Sequence, residues 1–265
     1  MTWRTPNTKK KLISGYFYHK MCKWSICPRY HQSFIPEEVL ENDLVFLNID
    51  YFESFCSNLN RNPPNSKFVL VTQNSDRDFT QEMIRDIGKY TNKIYAINCS
   101  AADDKIIKIP IGFNDHATET IESEEMSMSQ KQNLIYVNFK LQHHKDRDVC
   151  FDYFKKLEWV DIESEILPLE VFYSKLKTFK YCVCPRGTGI DTHRVYESLF
   201  FGVIPIVKKS ELDEMYEKLP ILIVERWEDI DYKYLTDNYE ENIIKYQRWL
   251  EKNSDWIDPS YWIKK

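Results

Sequence analysis

The stretch Lys180–Val207, KYCVCPRGTGIDTHRVYESLFFGVIPIV, constrains the fold of this chain more than any other. It opens with a short β-like run, Tyr181-Cys182-Val183-Cys184, which Pro185 ends because proline has no N–H to give a ladder. Two glycines two apart, Gly187 and Gly189, make a turn after Arg186. A helix begins near Asp191 or Thr192, both of residue types that cap helices. Val195 and Leu199 fall on one helical stripe, with Gly202 continuing it, and Val203-Ile204-Pro205-Ile206-Val207 reads as the next buried strand. Strand, glycine turn, helix, strand is the repeating unit of a parallel α/β sheet.

The turn and helix also carry chemistry. A glycine turn feeding a helix N-terminus presents backbone N–H groups and a partial positive charge, which suits phosphate. Arg186 and Arg194 bracket it, and guanidinium groups bind phosphate bidentately. His193 and Glu197 share one helix face. Tyr196, Phe200 and Phe201 leave little of the helix polar, so Glu197 is expected to be buried and to need a partner. A pair of sugar hydroxyls and an ion pair with Arg194 or His193 both meet that need. The glycine spacing matches neither the P-loop nor the full dinucleotide fingerprint, which weighs against a nicotinamide-dependent oxidoreductase.

CPRGTGIDTHRVYESLFFGVIPIV resembles the donor-site segment of the exostosin-like glycosyltransferases, in particular the short members from bacteria and large DNA viruses. Four further segments agree in the family's order: VTQNSD at Val71–Asp76, IYAINC at Ile94–Cys99, IPIGF at Ile109–Phe113 and NLIYVNF at Asn133–Phe139. The resemblance covers roughly Leu44 to Trp227. It implies an α/β fold of the GT-B type, two Rossmann-like domains facing across a cleft. Residues 1–128 would form the acceptor-side domain and 129–238 the nucleotide-sugar-binding domain, with a helix in 239–265 crossing back to the first.

The activity implied is transfer of a sugar from a UDP-sugar co-substrate to a hydroxyl of an oligosaccharide or glycoprotein glycan. Inversion is the family's habit, and xylose is the sugar suggested by the short viral members. No cofactor and no metal are expected. The donor-binding residues implied are Asn138, Arg147, Arg186, Gly187, Thr188, Gly189, Asp191, Thr192, His193, Arg194 and Glu197. A domain of the same fold that binds a nucleotide-sugar or glycan without turnover is the alternative.

Composition narrows the remaining classes. Of the 265 residues, 43% are hydrophobic and 15% aromatic, enough for packed cores. A net charge of −5 disfavours a nucleic-acid partner. No run approaches the ~18 apolar residues of a membrane span, and the start, MTWRTPNTKKKLISGYFYHK, lacks the apolar stretch of a signal peptide. Seven cysteines, an odd number, suit a reducing compartment, so a soluble cytoplasmic enzyme is expected. The sequon Asn98-Cys99-Ser100 would then stay unmodified.

Elsewhere, strands are expected at Leu44–Ile49, Phe68–Thr72, Lys93–Ile97, Ile106–Ile109, Leu134–Asn138, Trp159–Ile162 and Ile221–Val224, alternating with helices. The first ~35 residues show little periodicity and are expected to wrap onto other elements. The polar stretch Thr118–Gln132 reads as a solvated helix or linker. His19, Cys22, Cys27 and His31 follow no common zinc spacing. Asp146-Arg147-Asp148 has the spacing of a metal–nucleotide motif but opens a helix, where acidic residues are ordinary. Asp76 follows a predicted parallel strand, the end where such sheets place ligands, and is the candidate general base. A turn-capping aspartate would look the same. Asp115 and His116, after IPIGF, are further catalytic candidates, with Asp50 and Glu53 as rivals.

Overall fold

The computed structural model describes residues 10–30, 33–126 and 131–264. They gather into two compact units: one runs to His116 and takes the chain back from Trp256, the other spans Ala117–Asp255. Among the described residues no helix is long and apolar enough to cross a membrane.

In the first unit, α1 (Gly15–Met21) precedes β1 (Trp24–Ile26) and β2 (Leu44–Asn48). Then follow α2 (Phe52–Arg61), β3 (Phe68–Gln73), α3 (Gln81–Ile87), β4 (Thr91–Ala96) and β5 (Ile106–Lys108). The strands are all parallel and lie in chain order, β1-β2-β3-β4-β5. Right-handed crossovers that always step the same way put their helices on one face. Val45, Leu47, Phe68, Leu70, Ile94 and Ala96 accordingly form one core with Phe52, Phe55 and Leu59 of α2 and Met83, Ile84 and Ile87 of α3.

The other face, with Phe46 and Tyr95, receives no crossover helix. It is covered by α1, whose His19 ring meets Phe46 edge-on at 5.3 Å, and by the tail from Trp256. Ile13 N–H bonds Ile257 O at 2.6 Å and the Tyr95 hydroxyl donates to Lys264 O at 2.8 Å. The described residues from Lys10 on thus do wrap, but through a helix and an edge strand too short to show a period. Gly112 makes the wrap possible: its φ is +72°, and a Cβ there would sit 2.2 Å from Ile13 O. Asn98 is buried with φ 46° and donates to Ser75 O at 3.0 Å, so the sequon side chain faces inward.

The second unit starts with α4 (Thr118–Glu122), which buries Thr118 and Ile121 within the stretch expected to be solvated. Then come β6 (Asn133–Asn138), α5 (Lys145–Phe154), β7 (Asp161–Glu163), α6 (Leu169–Leu176) and β8 (Phe179–Val183). The unit continues with α7 (His193–Phe200), β9 (Ile204–Lys208), α8 (Asp213–Tyr216), β10 (Leu222–Val224), α9 (Tyr232–Asp237) and α10 (Tyr239–Lys252). Its parallel sheet has the order β10-β9-β8-β6-β7, which reverses between β6 and β8 and so places helices on both faces. Cys150, Phe154 and Leu235 pack with Ile135, Val137, Tyr181, Val183, Ile204 and Ile206 on one side. On the other, Tyr136 stacks between Phe172 and Phe179, and α7 buries Val195, Tyr196, Ser198 and Leu199. α10 packs here too: Tyr246 donates to Leu199 O, and Trp249 Nε1 to Lys218 O at 2.7 Å. The residues that rejoin the first unit lie beyond this helix, in the tail from Trp256.

Lys131 pins two of these helices. It is buried, and its Nζ donates to Lys177 O at 2.8 Å and Phe201 O at 2.7 Å, the carbonyls just past α6 and α7. Burial, and then the nearby Lys177 ammonium, lower its pKa to about 8. A neutral amine still has two N–H groups for the two carbonyls. Between that value and the ~10.4 of an unfolded lysine, the unfolded chain binds more protons, so this group's contribution to stability rises with pH. The advantage of wild type over Lys131→Met in urea unfolding should therefore widen from about pH 7.5 to about pH 9.5; a flat or shrinking difference would contradict the assignment.

Candidate functional site

Ligands of doubly wound sheets sit beyond the strand C-termini, where the strand order reverses. In the second unit that place lies between the loops leaving β6 and β8. Arg147, in the first turn of α5, stitches them: Nε donates to Arg186 O and Nη1 to Lys140 O, both at 2.9 Å, with the guanidinium 5.6 Å from the Phe139 ring centroid. A Cβ on Gly187 would lie 3.1 Å from Arg147 Nη2. Gly187 therefore serves close approach rather than left-handed backbone, which among described glycines only Gly112 and Gly202 adopt. A pocket of about 190 Å³ lies at the reversal, lined by Asn138, Arg147, Pro185, Thr192 and Arg194 among others.

A larger cavity, about 750 Å³, involves the loops after β8 and β9. Lys145, Arg186, Lys208 and Lys209 line it with His144, beside the acidic Asp146 and Glu211; Val149, Ile190, Val207 and Tyr216 supply apolar wall. Lys208 Nζ pairs with Asp146 at 3.0 Å, and His144 Nδ1 caps α5 by accepting from Asp146 N at 3.1 Å. Burial, then the positive charge of Arg186, lower the pKa of His144. Arg186 Nη2 donates to Thr188 O at 3.2 Å, while its Nε is buried with no hydrogen-bond partner.

Behind this wall the α7 residues form a frame. Gly202, with φ +65°, ends the helix in a Schellman closure, Val203 N–H to Ser198 O at 2.9 Å. Thr192 is the N-cap position, but its side chain makes no capping bond. Asp191 is buried instead, accepting from Tyr196 OH at 2.5 Å, Tyr216 OH at 2.7 Å and Thr192 N at 2.8 Å. Burial, then the Asp191 carboxylate, push the Tyr216 hydroxyl pKa up. Arg194 lies 3.8 Å from the Phe172 ring centroid, donating from Nε to Glu197 Oε2 at 3.2 Å and from Nη1 to Asn138 O at 2.5 Å. Glu197 Oε1 accepts from Tyr173 OH at 3.0 Å, and burial, then Glu197, raise that tyrosine's pKa. Of the ion-pair partners open to Glu197 in the sequence, Arg194 rather than His193 is the one it meets. The Asn138 amide donates to Glu163 O and Glu165 O at 3.0 and 2.8 Å. Arg186, Gly187, Thr192 and His193 are half-buried, Thr188 is exposed and Gly189 buried.

Lys208, Lys209, His144 and Tyr216 escaped the sequence analysis. Lys208-Lys209 ends a β-strand at its C-terminus, which is the one signal that could have flagged them. Asp146, from the Asp-x-Asp spacing, is held by Lys208, and among the described residues no three His, Cys, Asp or Glu side chains converge as metal ligands. His31 lies outside the described residues; the Cys22 thiol donates to Tyr18 O at 3.3 Å.

The remaining candidates lie on the first unit. Asn74, left-handed at φ 60°, follows β3 and donates to Tyr30 OH at 2.6 Å, which in turn donates to Asp115 Oδ2 at 2.5 Å. Asp115 Oδ1 accepts from Tyr16 N at 2.9 Å. Burial, then Asp115, raise the Tyr30 pKa. Asp50 accepts from Ser75 OH at 2.6 Å, and Glu53 takes both Nη groups of Arg77, at 3.1 and 2.5 Å. Asp76 and His116 are exposed.

The frame predicts a stability effect. Glu197→Gln leaves the half-buried Arg194 guanidinium without its countercharge and should cost about 2–3 kcal/mol in urea unfolding. Tyr173→Phe, which removes one hydrogen bond, should cost about 1 kcal/mol. Equal and small losses would show that the pair adds nothing.

No family model matches the chain, and no curated protein matches it in sequence. Among solved structures it is similar to the pneumococcal O-GlcNAc transferase GtfA, in complex with UDP and GlcNAc, at 11% identity and a TM-score of 0.31. The match covers 82% of this chain and 52% of that one, so the chain spans about half the length of that structure.

Proposed function

We propose that the chain is a UDP-sugar-dependent glycosyltransferase of the GT-B, exostosin-like type, with the donor held by the second unit. The observation that supports this reading best is the cavity of about 750 Å³ whose lining includes Arg186, with its buried, unpartnered Nε, and Lys208 and Lys209. An apolar wall beside several cations suits a nucleoside bearing a diphosphate. In this reading the diphosphate lies along Gly187–Thr192, and the donor's anomeric C–O bond breaks as its electron pair leaves with UDP. The protein's cations offset the charge that develops on that leaving group, so no metal is needed. An acceptor glycan hydroxyl forms the new bond from the opposite face, inverting the centre, and its proton passes to a base. Asp76 is assigned that role, because it follows β3 and is exposed, whereas both Asp115 oxygens have partners within the protein. Xylose remains the sugar proposed.

Arg194 has two partners within the protein, so Arg186 is the residue to test. Arg186→Ala should lose about 2–3 kcal/mol of UDP affinity, roughly 30- to 150-fold in Kd, by calorimetry. Unchanged affinity in the folded variant would overturn the donor site.

Asp76→Asn should keep UDP affinity and fold while slowing transfer by ~10²–10⁴-fold in a UDP-release assay with acceptor. Transfer within a few-fold of wild type would reduce Asp76 to a turn residue and move the role to Asp115 or His116.

A further inference from the structure

The second face of the first sheet is covered unevenly. At the starts of β2, β3 and β4 a hollow of about 480 Å³ opens. Leu44, Val69 and Tyr95 from these strands line it, with Met21, the last residue of α1. Leu44 and Val69 keep 9% and 8% of their surface exposed, so the apolar floor meets solvent.

Three ammonium groups share the lining, Lys23, Lys93 and Lys264. One carboxylate lies among the lining residues, Asp43, and it is engaged: Lys23 Nζ, Trp24 Nε1 and Leu40 N–H reach it at 2.8, 2.9 and 3.0 Å. Among the described residues Lys93 and Lys264 make no salt bridge; Lys93 Nζ lies 5.6 Å from the Tyr95 ring centroid. The tail end is fixed by the Tyr95 hydroxyl on Lys264 O, which holds Lys264 beside the hollow without using its ammonium. The lining therefore carries an excess of two positive charges over an apolar floor. Its volume falls in the range of small-molecule sites. It also lies at the strand N-termini, the edge opposite to the one where α/β sheets place chemistry.

We propose that this hollow is a second ligand site, taking a small organic anion of monosaccharide size that bears a phosphate or carboxylate. Lys93 and Lys264 grip the anionic group, and the body of the ligand covers Leu44 and Val69. The assignment does not depend on the activity proposed for the second unit.

Calorimetry on the full chain tests it, with glucose 6-phosphate and glucuronate as probes and neutral glucose as the control. At least one anionic probe should bind saturably, and glucose should not. Lys93→Glu should weaken that binding by at least ~10-fold, and Lys93→Met should weaken it in the same direction should the charge reversal fail to fold. Arg186→Ala, in the other unit's cavity, should leave it within about 2-fold. No saturable binding of either probe would overturn the proposal, as would binding insensitive to both Lys93 substitutions or lost in Arg186→Ala.

Discussion

A guanidinium largely withdrawn from solvent needs a countercharge, and much of the second unit's geometry follows from how the half-buried Arg194 finds one. Glu197, one turn along the same helix, supplies it; Asn138 O at the end of β6 and the face of Phe172 complete the enclosure. This sets the start of α7 against the end of β6, the two sides of the strand reversal. Arg147 does the same for the loops above, and Lys131 fixes the far ends of α6 and α7. The polar residues least exposed in this region mainly hold the frame, leaving Arg186 and the lysines at the end of β9 on the cavity wall.

The two sheets differ in a way that separates their uses. The first steps in one direction and has no reversal, so it has no crevice of the kind found between β6 and β8. Its polar crest is tied instead by local bonds, Asn74 to Tyr30 to Asp115 and Ser75 to Asp50, which position the loop bearing Asp76. Its uncovered face is patched by chain from either end, and the patch leaves the lysine-rimmed hollow.

Much of this was legible in sequence. Continuous apolar runs such as Phe68–Thr72 announce buried parallel strands, and the helix expected within 239–265 is found at Tyr239–Lys252. α5, opened by Asp146-Arg147-Asp148 as expected, starts at Lys145, where the His144 imidazole, a rarer cap than aspartate, takes the Asp146 amide. β1 is three residues long, all buried, and no period can show in so few. In the site, the Arg186–Gly187 turn was visible because glycine and proline punctuate locally. Tyr173 and Tyr216 were not, since their bonds to Glu197 and Asp191 depend on packing between distant elements.

The tail from Trp256 has a consequence for how the chain is made. The first unit is not continuous: its sheet is finished early, but the residues that seal one face of it follow the whole second unit and leave the ribosome after it. The second unit, encoded without interruption between them, has all its strands and helices in hand sooner. Synthesis runs from the N-terminus, yet of these two units the one begun first is completed second, and until then Tyr95 lacks the tail that accepts its hydroxyl bond.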